Sequence, residues 1–395
     1  MNKIQDLEIK AGFLTNNANV IQLCISSAVV SSVTFITIYM KELEFKTVDI
    51  TLIVAFYSFL VFLSSLLSGR AADRFGRKIF IKFGLIFSAI TFFLQGFTND
   101  FLSVLLVRML AGFTAGIAPA ALVAYAYEHK SKMGRFSGFG SLGWAVSNFI
   151  AGYIAMFATE YVFFMASFFF LIGFFITLTL DEDKSELSIT INRALTPSKT
   201  IIFKNIGIYL AVFLRHSAAS AVWTLWPLFL NEELGFESWQ IGIVQATNAA
   251  TQFVVMSLLT DKLQAKQLFP TGLFFSFLTF ITFLLTSDFV LFLVTQIFLG
   301  ASFAFIYVGG VKYVTESNSI YDRATASGFL ASSYSISGLF GPFYVFLLLF
   351  IFPENSSILY QSIIILGVIM GFLSLISYFM VEIWNNRLDK MVPQI

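Results

Sequence analysis

The chain has 395 residues, 57% hydrophobic and only 12% charged, with a mean hydropathy of +0.83 and a formal net charge of +1. A soluble protein carries about 25% charged residues, so an ordinary water-soluble domain is excluded, and the near-zero net charge gives no footprint for nucleic acid. The lone Cys24 leaves no disulfide framework and no Cys-based metal site within one chain.

In chain order, residues 1–20 lack the apolar core and small-residue cleavage site of a secretory signal, so the first span is expected to be its own insertion signal. About 20 apolar residues cross a hydrocarbon core. Twelve stretches qualify: 19–40, 48–68, 79–97, 101–127, 136–158, 161–180, 205–230, 239–260, 268–286, 289–315, 325–350 and 358–382. These runs are continuous and too long for the strands of a β-barrel, so the predicted fold class is all-α integral membrane. With both termini in the cytoplasm, 19 of the 24 basic residues fall on that side. The outer loops keep Lys41 and Lys46, and Arg108, Arg215 and Lys312 lie within spans. Positive charge on inner loops fixes orientation, and the expected location is the plasma membrane, as a multi-pass protein. The polar stretch 181–200 has too few apolar residues for a core of its own. The predicted organisation is a bundle over 1–180, a cytoplasmic linker over 181–204 and a second bundle over 205–395.

The halves repeat. At an offset of 188, TNDF (98–101) meets TSDF (286–289), Gly112 meets Gly300, Tyr125 meets Tyr313 and Glu128 meets Glu316. FGLIFS (83–88) meets TGLFFS (271–276), and SGF (137–139) meets SGF (327–329) two residues later. Such repeats read as two pseudo-symmetric six-helix bundles with a binding site near midplane between them.

Between the second and third spans lies GRAADRFGRK, residues 69–78. This decapeptide fits Gly-x-x-x-Asp-Arg-x-Gly-Arg-Lys, and with twelve helices in a 6+6 repeat the whole chain resembles the major facilitator superfamily. RMLAGFTAG (108–116) in the fourth span is similar to the Arg-x-x-x-Gly-x-x-x-Gly pattern of that superfamily's proton-coupled exporters. The fifth span departs from the exporter pattern: Gly143, Ser147, Asn148, Ala151 and Gly152 keep the small-residue spacing without its proline. A Gly-Pro pair stands instead at Gly341 and Pro342 in the eleventh span. The resemblance implies alternating access and a gating latch at Gly69, Asp73, Arg74, Gly76 and Arg77, with Glu128 as the carboxylate in reach.

Arg108 lies ~12 Å and Arg215 ~15 Å from their nearer span ends at 1.5 Å per residue, near the midplane of a ~30 Å core. A lone arginine there costs at least ~2.5–3.5 kcal/mol, and no Asp or Glu lies deep in any span. The residues leave two readings open: an anionic substrate, or arginines held by polar side chains and carbonyls. Arg215, Ala219, Trp223 and Trp226 share a helical face that can clasp an amphipathic anion, although Trp226 also fits an interface anchor. His216 and Arg108 are the candidates for proton coupling, because histidine titrates near physiological pH and Arg108 carries the exporter pattern. Gln22 and Ser26, Asn248 and Gln252, Gln296, Tyr307, Ser333, Tyr334 and Ser337 are candidate cavity residues. Lys312 and Glu316 have the spacing of a local ion pair. Gly112 and Gly116 fit close helix packing.

No metal cluster, P-loop, dinucleotide fingerprint or nucleophile motif stands out, so neither enzyme activity nor a cofactor is expected. The expected partners are a small-molecule substrate, anionic or amphipathic, protons and the lipid bilayer, and the expected state is a monomer. The leading functional reading is proton-coupled export (antiport) of a small organic compound. Uptake or facilitated diffusion of an organic anion is the alternative within the transporter class. A transporter-like membrane sensor or lipid flippase is the alternative outside it.

Overall fold

The computed structural model describes residues 17–128, 133–180, 198–318, 323–352 and 356–391. In chain order its helices are α1 (Asn17–Glu42), α2 (Thr47–Phe75), α3 (Arg77–Gln95), α4 (Phe101–Ala115), α5 (Ile117–Glu128), α6 (Met133–Ala155), α7 (Tyr161–Thr177), α8 (Ser198–Lys204), α9 (Ile206–Leu228), α10 (Ser238–Leu258), α11 (Ala265–Leu285), α12 (Phe289–Ser317), α13 (Arg323–Leu349) and α14 (Ser357–Met391). No strand occurs among the described residues. Ten helical stretches there are long and apolar enough to cross a membrane. The other two predicted spans are the more polar Met133–Ala155 and Tyr161–Thr177, which is apolar but 17 residues long.

The helices are apolar on their outsides. On α4, Leu102, Leu106 and Leu110 are 60%, 51% and 54% exposed, while Val104, Arg108 and Ala111 are buried. Residues four apart share a helix face. A stripe of exposed leucines opposite a buried arginine suits lipid and not water. This is a multi-pass membrane protein.

Contacts group the chain into two compact units: Met1–Leu187 with Pro227–Phe253, and Ser188–Trp226 with Val254–Ile395. The first is packed around Ile21, Leu85, Phe92, Leu122 and Phe170, with Phe92 and Phe170 edge to face at 4.9 Å. The second is packed around Tyr209, Phe269, Leu273 and Ile306, and the Tyr209 hydroxyl donates to the Ala326 carbonyl at 2.9 Å.

The 188-residue offset reappears at helix starts. Asp100 Oδ1 caps α4 by accepting from the backbone N–H of Leu102 (3.0 Å) and Ser103 (3.1 Å). Asp288 Oδ1 caps α12 by accepting from Leu291 N–H at 2.9 Å. Such caps satisfy N–H groups that have no partner within the helix. The Ser103 hydroxyl and then its N–H hold the exposed Asp100 carboxyl below the usual carboxylate range.

Three features differ from the sequence expectations. The fourth span is two helices broken at Gly116, because Pro119 lacks an N–H and its ring crowds the carbonyl four residues earlier, that of Ala115. The decapeptide does not separate the second and third spans but is mostly helical: α2 continues through Phe75, its last turn closed by Gly76 N–H on the Ala72 carbonyl at 3.0 Å, and α3 begins at Arg77. Gly76 alone makes the turn, at φ +103°, and a Cβ there would meet nothing within 4 Å, so conformation and not space calls for glycine. Within 181–204, Ser198–Lys204 is helical, and residues 181–197 lie outside the described residues.

α13 keeps Pro342 in its interior. Proline donates no hydrogen bond, which frees the carbonyl of Gly338, four residues earlier. Ser220 Oγ of α9 donates to that carbonyl at 3.2 Å. Gly341 lets the two helices meet there, since a Cβ would lie 2.4 Å from the Ser220 backbone carbon.

Candidate functional site

Among the described residues, each unit holds one buried arginine. In the first, Arg108 on α4 is 1% exposed. Its Nη1 donates to Ser32 Oγ of α1 at 3.0 Å and to Gln95 Oε1 at the end of α3 at 2.9 Å. Its guanidinium lies over the Tyr57 ring of α2, 3.8 Å from the centroid. One cation thus ties four helices together by two charged hydrogen bonds and a cation–π contact. The glycines of the same pattern continue the seam along α2. A Cβ on Gly112 would lie 2.6 Å from the Tyr57 carbonyl oxygen, and one on Gly116 would lie 2.4 Å from that of Val61. Ser65 Oγ donates to the Gly116 carbonyl at 2.9 Å, at the break between α4 and α5.

In the second unit, Arg215 on α9 is 2% exposed. Its Nε donates to Ser276 Oγ of α11 at 2.7 Å, and its Cζ lies 5.9 Å from the Phe303 ring centroid. His216 packs edge to face on Tyr334 at 5.0 Å and lies 6.5 Å from Phe303. Tyr307 is 5.9 Å from both Phe303 and Tyr334. His216 Nδ1 and Tyr334 Oη are enclosed without a hydrogen-bond partner in the protein. The structure therefore brings together Arg215, His216, Tyr307 and Tyr334, four of the sequence candidates, and adds Ser276 and Phe303.

Other candidates have contacts of their own. Trp223 meets Trp226 edge to face at 5.1 Å. Trp226 is not an interface anchor: it is 1% exposed, 4.6 Å from Phe283 and 5.6 Å from Phe292. In the first unit Gln22 Nε2 donates to Ser26 Oγ at 3.4 Å. Gln252 Nε2 donates to Asn248 Oδ1 at 2.6 Å, and Ser141 Oγ donates to Gln252 Oε1 at 3.4 Å. Gln296 is fully buried in α12. Ser333 and Ser337 bond backbone carbonyls. Lys312 does not pair with Glu316: its Nζ donates to the carbonyls of Thr260 (2.7 Å) and Leu263 (3.1 Å), which belong to the turn after α10. Of the latch residues, Gly76 forms the turn and Arg77 opens α3. The surroundings of Gly69, Asp73, Arg74 and Glu128 lie outside the described residues.

Sequence reasoning missed Ser32, Tyr57 and Gln95 around Arg108. No group of His, Cys, Asp or Glu that could hold a metal ion occurs among the described residues.

A helical membrane protein with a signature turn at Gly76 and a glycine seam below Arg108 has known counterparts. A family model described as the MFS_1 like family matches residues 19–344. The chain belongs to the MFS_1-like family. It is a transporter of the major facilitator superfamily, with that fold's two pseudo-symmetric six-helix bundles. This MFS_1-like protein is similar to multidrug resistance protein 1 of Bacillus subtilis, 26% identical over 77% of the chain and 81% of the relative. It is also similar to the class B tetracycline resistance protein of Escherichia coli, 22% identical over 69% of the chain and 72% of the relative. Among solved structures, a variant of the nucleoside transporter NupG superposes with a TM-score of 0.75 at 15% identity, over 92% of the chain and 98% of NupG. A bacterial homologue of the human lysosomal transporter Spinster superposes with a TM-score of 0.70 at 13% identity, over 92% and 94%. These two likenesses concern the fold.

Proposed function

We propose that this MFS_1-like protein exports a small amphipathic organic compound across the plasma membrane in exchange for protons, by alternating access, with both termini in the cytoplasm. The observation that carries the reading is the α4 seam. Arg108, Gly112 and Gly116 form the pattern that the superfamily resemblance links to proton-coupled exporters, and here they lock α4 against α2 through Tyr57 and Val61. The multidrug and tetracycline resistance relatives support the substrate class and the direction. The polar clusters at Arg108 and at Arg215 and His216 are the groups through which substrate and proton would act, with Gln22, Asn248 and Gln296 as further lining residues. The latch at Asp73, Arg74, Arg77 and Glu128 would stabilise one access state.

The test is flux in proteoliposomes. Ethidium, tetracycline and 1-naphthoate are offered with and without an imposed pH gradient, and internal accumulation is followed. Transport of at least one compound, driven against its gradient by protons moving the other way, is expected. Flux indifferent to the pH gradient would refute proton coupling. A second reading, gradient-independent movement of an organic anion, is favoured by Arg215, whose terminal nitrogens bond no protein group. Under it, 1-naphthoate alone would equilibrate.

A further inference from the structure

The two buried arginines are held through different nitrogens. Arg108 gives Nη1 to two protein acceptors and lays its face on Tyr57. Arg215 is fixed through Nε by Ser276, and Nη1 and Nη2 make no hydrogen bond within the protein. That leaves a planar fork with parallel donors, the geometry that grips a carboxylate bidentately. Beside it stand two enclosed polar atoms without partners, Tyr334 Oη and His216 Nδ1. Buried polar groups without partners are rare in folded proteins and call for a missing one. No ion pair of Arg215 with a carboxylate occurs among the described residues, and an anion with acceptor oxygens fits the open donors. The walls around these groups are rings: Phe303, Tyr307, Tyr334 and the imidazole of His216 lie within 5.0–6.5 Å of their neighbours. Flat aromatic walls select a flat aromatic body.

We infer that Arg215 receives the planar oxyanion group of an aromatic substrate, oriented by Ser276 and flanked by Tyr334 and His216. The inference rests on the reading of the protein as a transporter of small organic compounds and names the substrate class for it: aromatic carboxylates and their planar isosteres. Ser276 is a positioning residue; it holds the fork and does not touch the ligand.

The experiment is equilibrium binding of radiolabelled 1-naphthoate and of the neutral 1-naphthamide to the full-length protein in nanodiscs. A hydrogen bond to a charged group is worth about 1.5–3 kcal/mol, so the wild type should prefer the carboxylate by about tenfold or more. Arg215→Gln should abolish that preference, by weakening 1-naphthoate binding more than naphthamide binding, and Arg215→Lys, a point charge without the fork, should keep only part of it. Ser276→Ala retains the charge but frees the fork, so it should reduce the preference several-fold and serves if Arg215→Gln does not fold. A wild type that binds neither probe, or both equally, overturns the inference, as does an unchanged preference in the Arg215→Gln and Ser276→Ala proteins. Gradient-driven tetracycline or ethidium flux in the same preparation separates the two readings. If such flux persists without a carboxylate preference, the inference fails and the transport reading stands. If all gradient-driven flux is absent, the transport reading fails as well.

Discussion

Gly84 on α3 packs directly on the backbone of Ala118 on α5: a Cβ at Gly84 would lie 2.7 Å from the Ala118 nitrogen. The same crossing exists in the second unit, where a Cβ at Gly272 would lie 2.7 Å from the nitrogen of Ile306. Since 272 − 84 and 306 − 118 are both 188, one sequence offset carries one helix–helix crossing into both units. Small residues let membrane helices approach until their backbones touch.

Gly84→Ala and Gly272→Ala test this crossing. The nearest obstructing atom at each is backbone, which does not swing aside as a long side chain does. Overpacking of this kind costs about 1–3 kcal/mol. Each variant should lower the apparent melting temperature of the detergent-purified protein in a thermal unfolding assay, and by similar amounts. A variant as stable as the wild type would show that the crossing opens without cost.

The site of Lys312 gives a sharper comparison. The spacing to Glu316 predicts an ion pair, but Lys312 reaches the Thr260 and Leu263 carbonyls instead. Lys312→Met should therefore destabilise by about 1.5 kcal/mol, the low end for a charged hydrogen bond, and Glu316→Gln should leave thermal stability unchanged. Equal losses in both variants would restore the ion pair.

The helices were legible because lipid demands long apolar runs, and those runs show without an alignment. The Arg108 pattern was legible as spacing, and the structure gives it content as a seam along α2. The partners of Arg108 were not legible. Ser32 lies 76 residues away and Gln95 13 residues away across a turn, and nothing local distinguishes them from other polar residues in apolar runs. The same holds for Ser276, whose repeat position is Ser88. Where local spacing offered a partner, as at Glu316, it misled, because the tertiary carbonyls that Lys312 meets have no sequence signature. Proline was the more dependable signal: Pro119 marks the break at Gly116 that a hydropathy count runs through.

Trp226 separates an interface role from a core role. The ring is enclosed by Trp223, Phe283 and Phe292. Truncating a large buried aromatic costs about 3–5 kcal/mol, so Trp226→Ala should sharply reduce the yield of monodisperse protein. Trp226→Phe should recover most of it. A Trp226→Ala protein of wild-type stability would return the residue to the membrane interface.

Ser220 and Pro342 should be coupled. Pro342 leaves the Gly338 carbonyl without its helical donor, and Ser220 Oγ fills the vacancy from α9. Removing the hydroxyl should leave a part-buried carbonyl unsatisfied, so Ser220→Ala is expected to cost about 1 kcal/mol or more. Pro342→Ala restores a backbone N–H in register with Gly338. In that background the Ser220 hydroxyl becomes redundant, and Ser220→Ala should cost much less. The two substitutions should thus be non-additive by about 1 kcal/mol or more in a double-mutant cycle on melting temperature, well beyond the few tenths typical of independent sites. Additive losses would mean that the helix satisfies the carbonyl by another route and that the serine contributes only packing against Gly341.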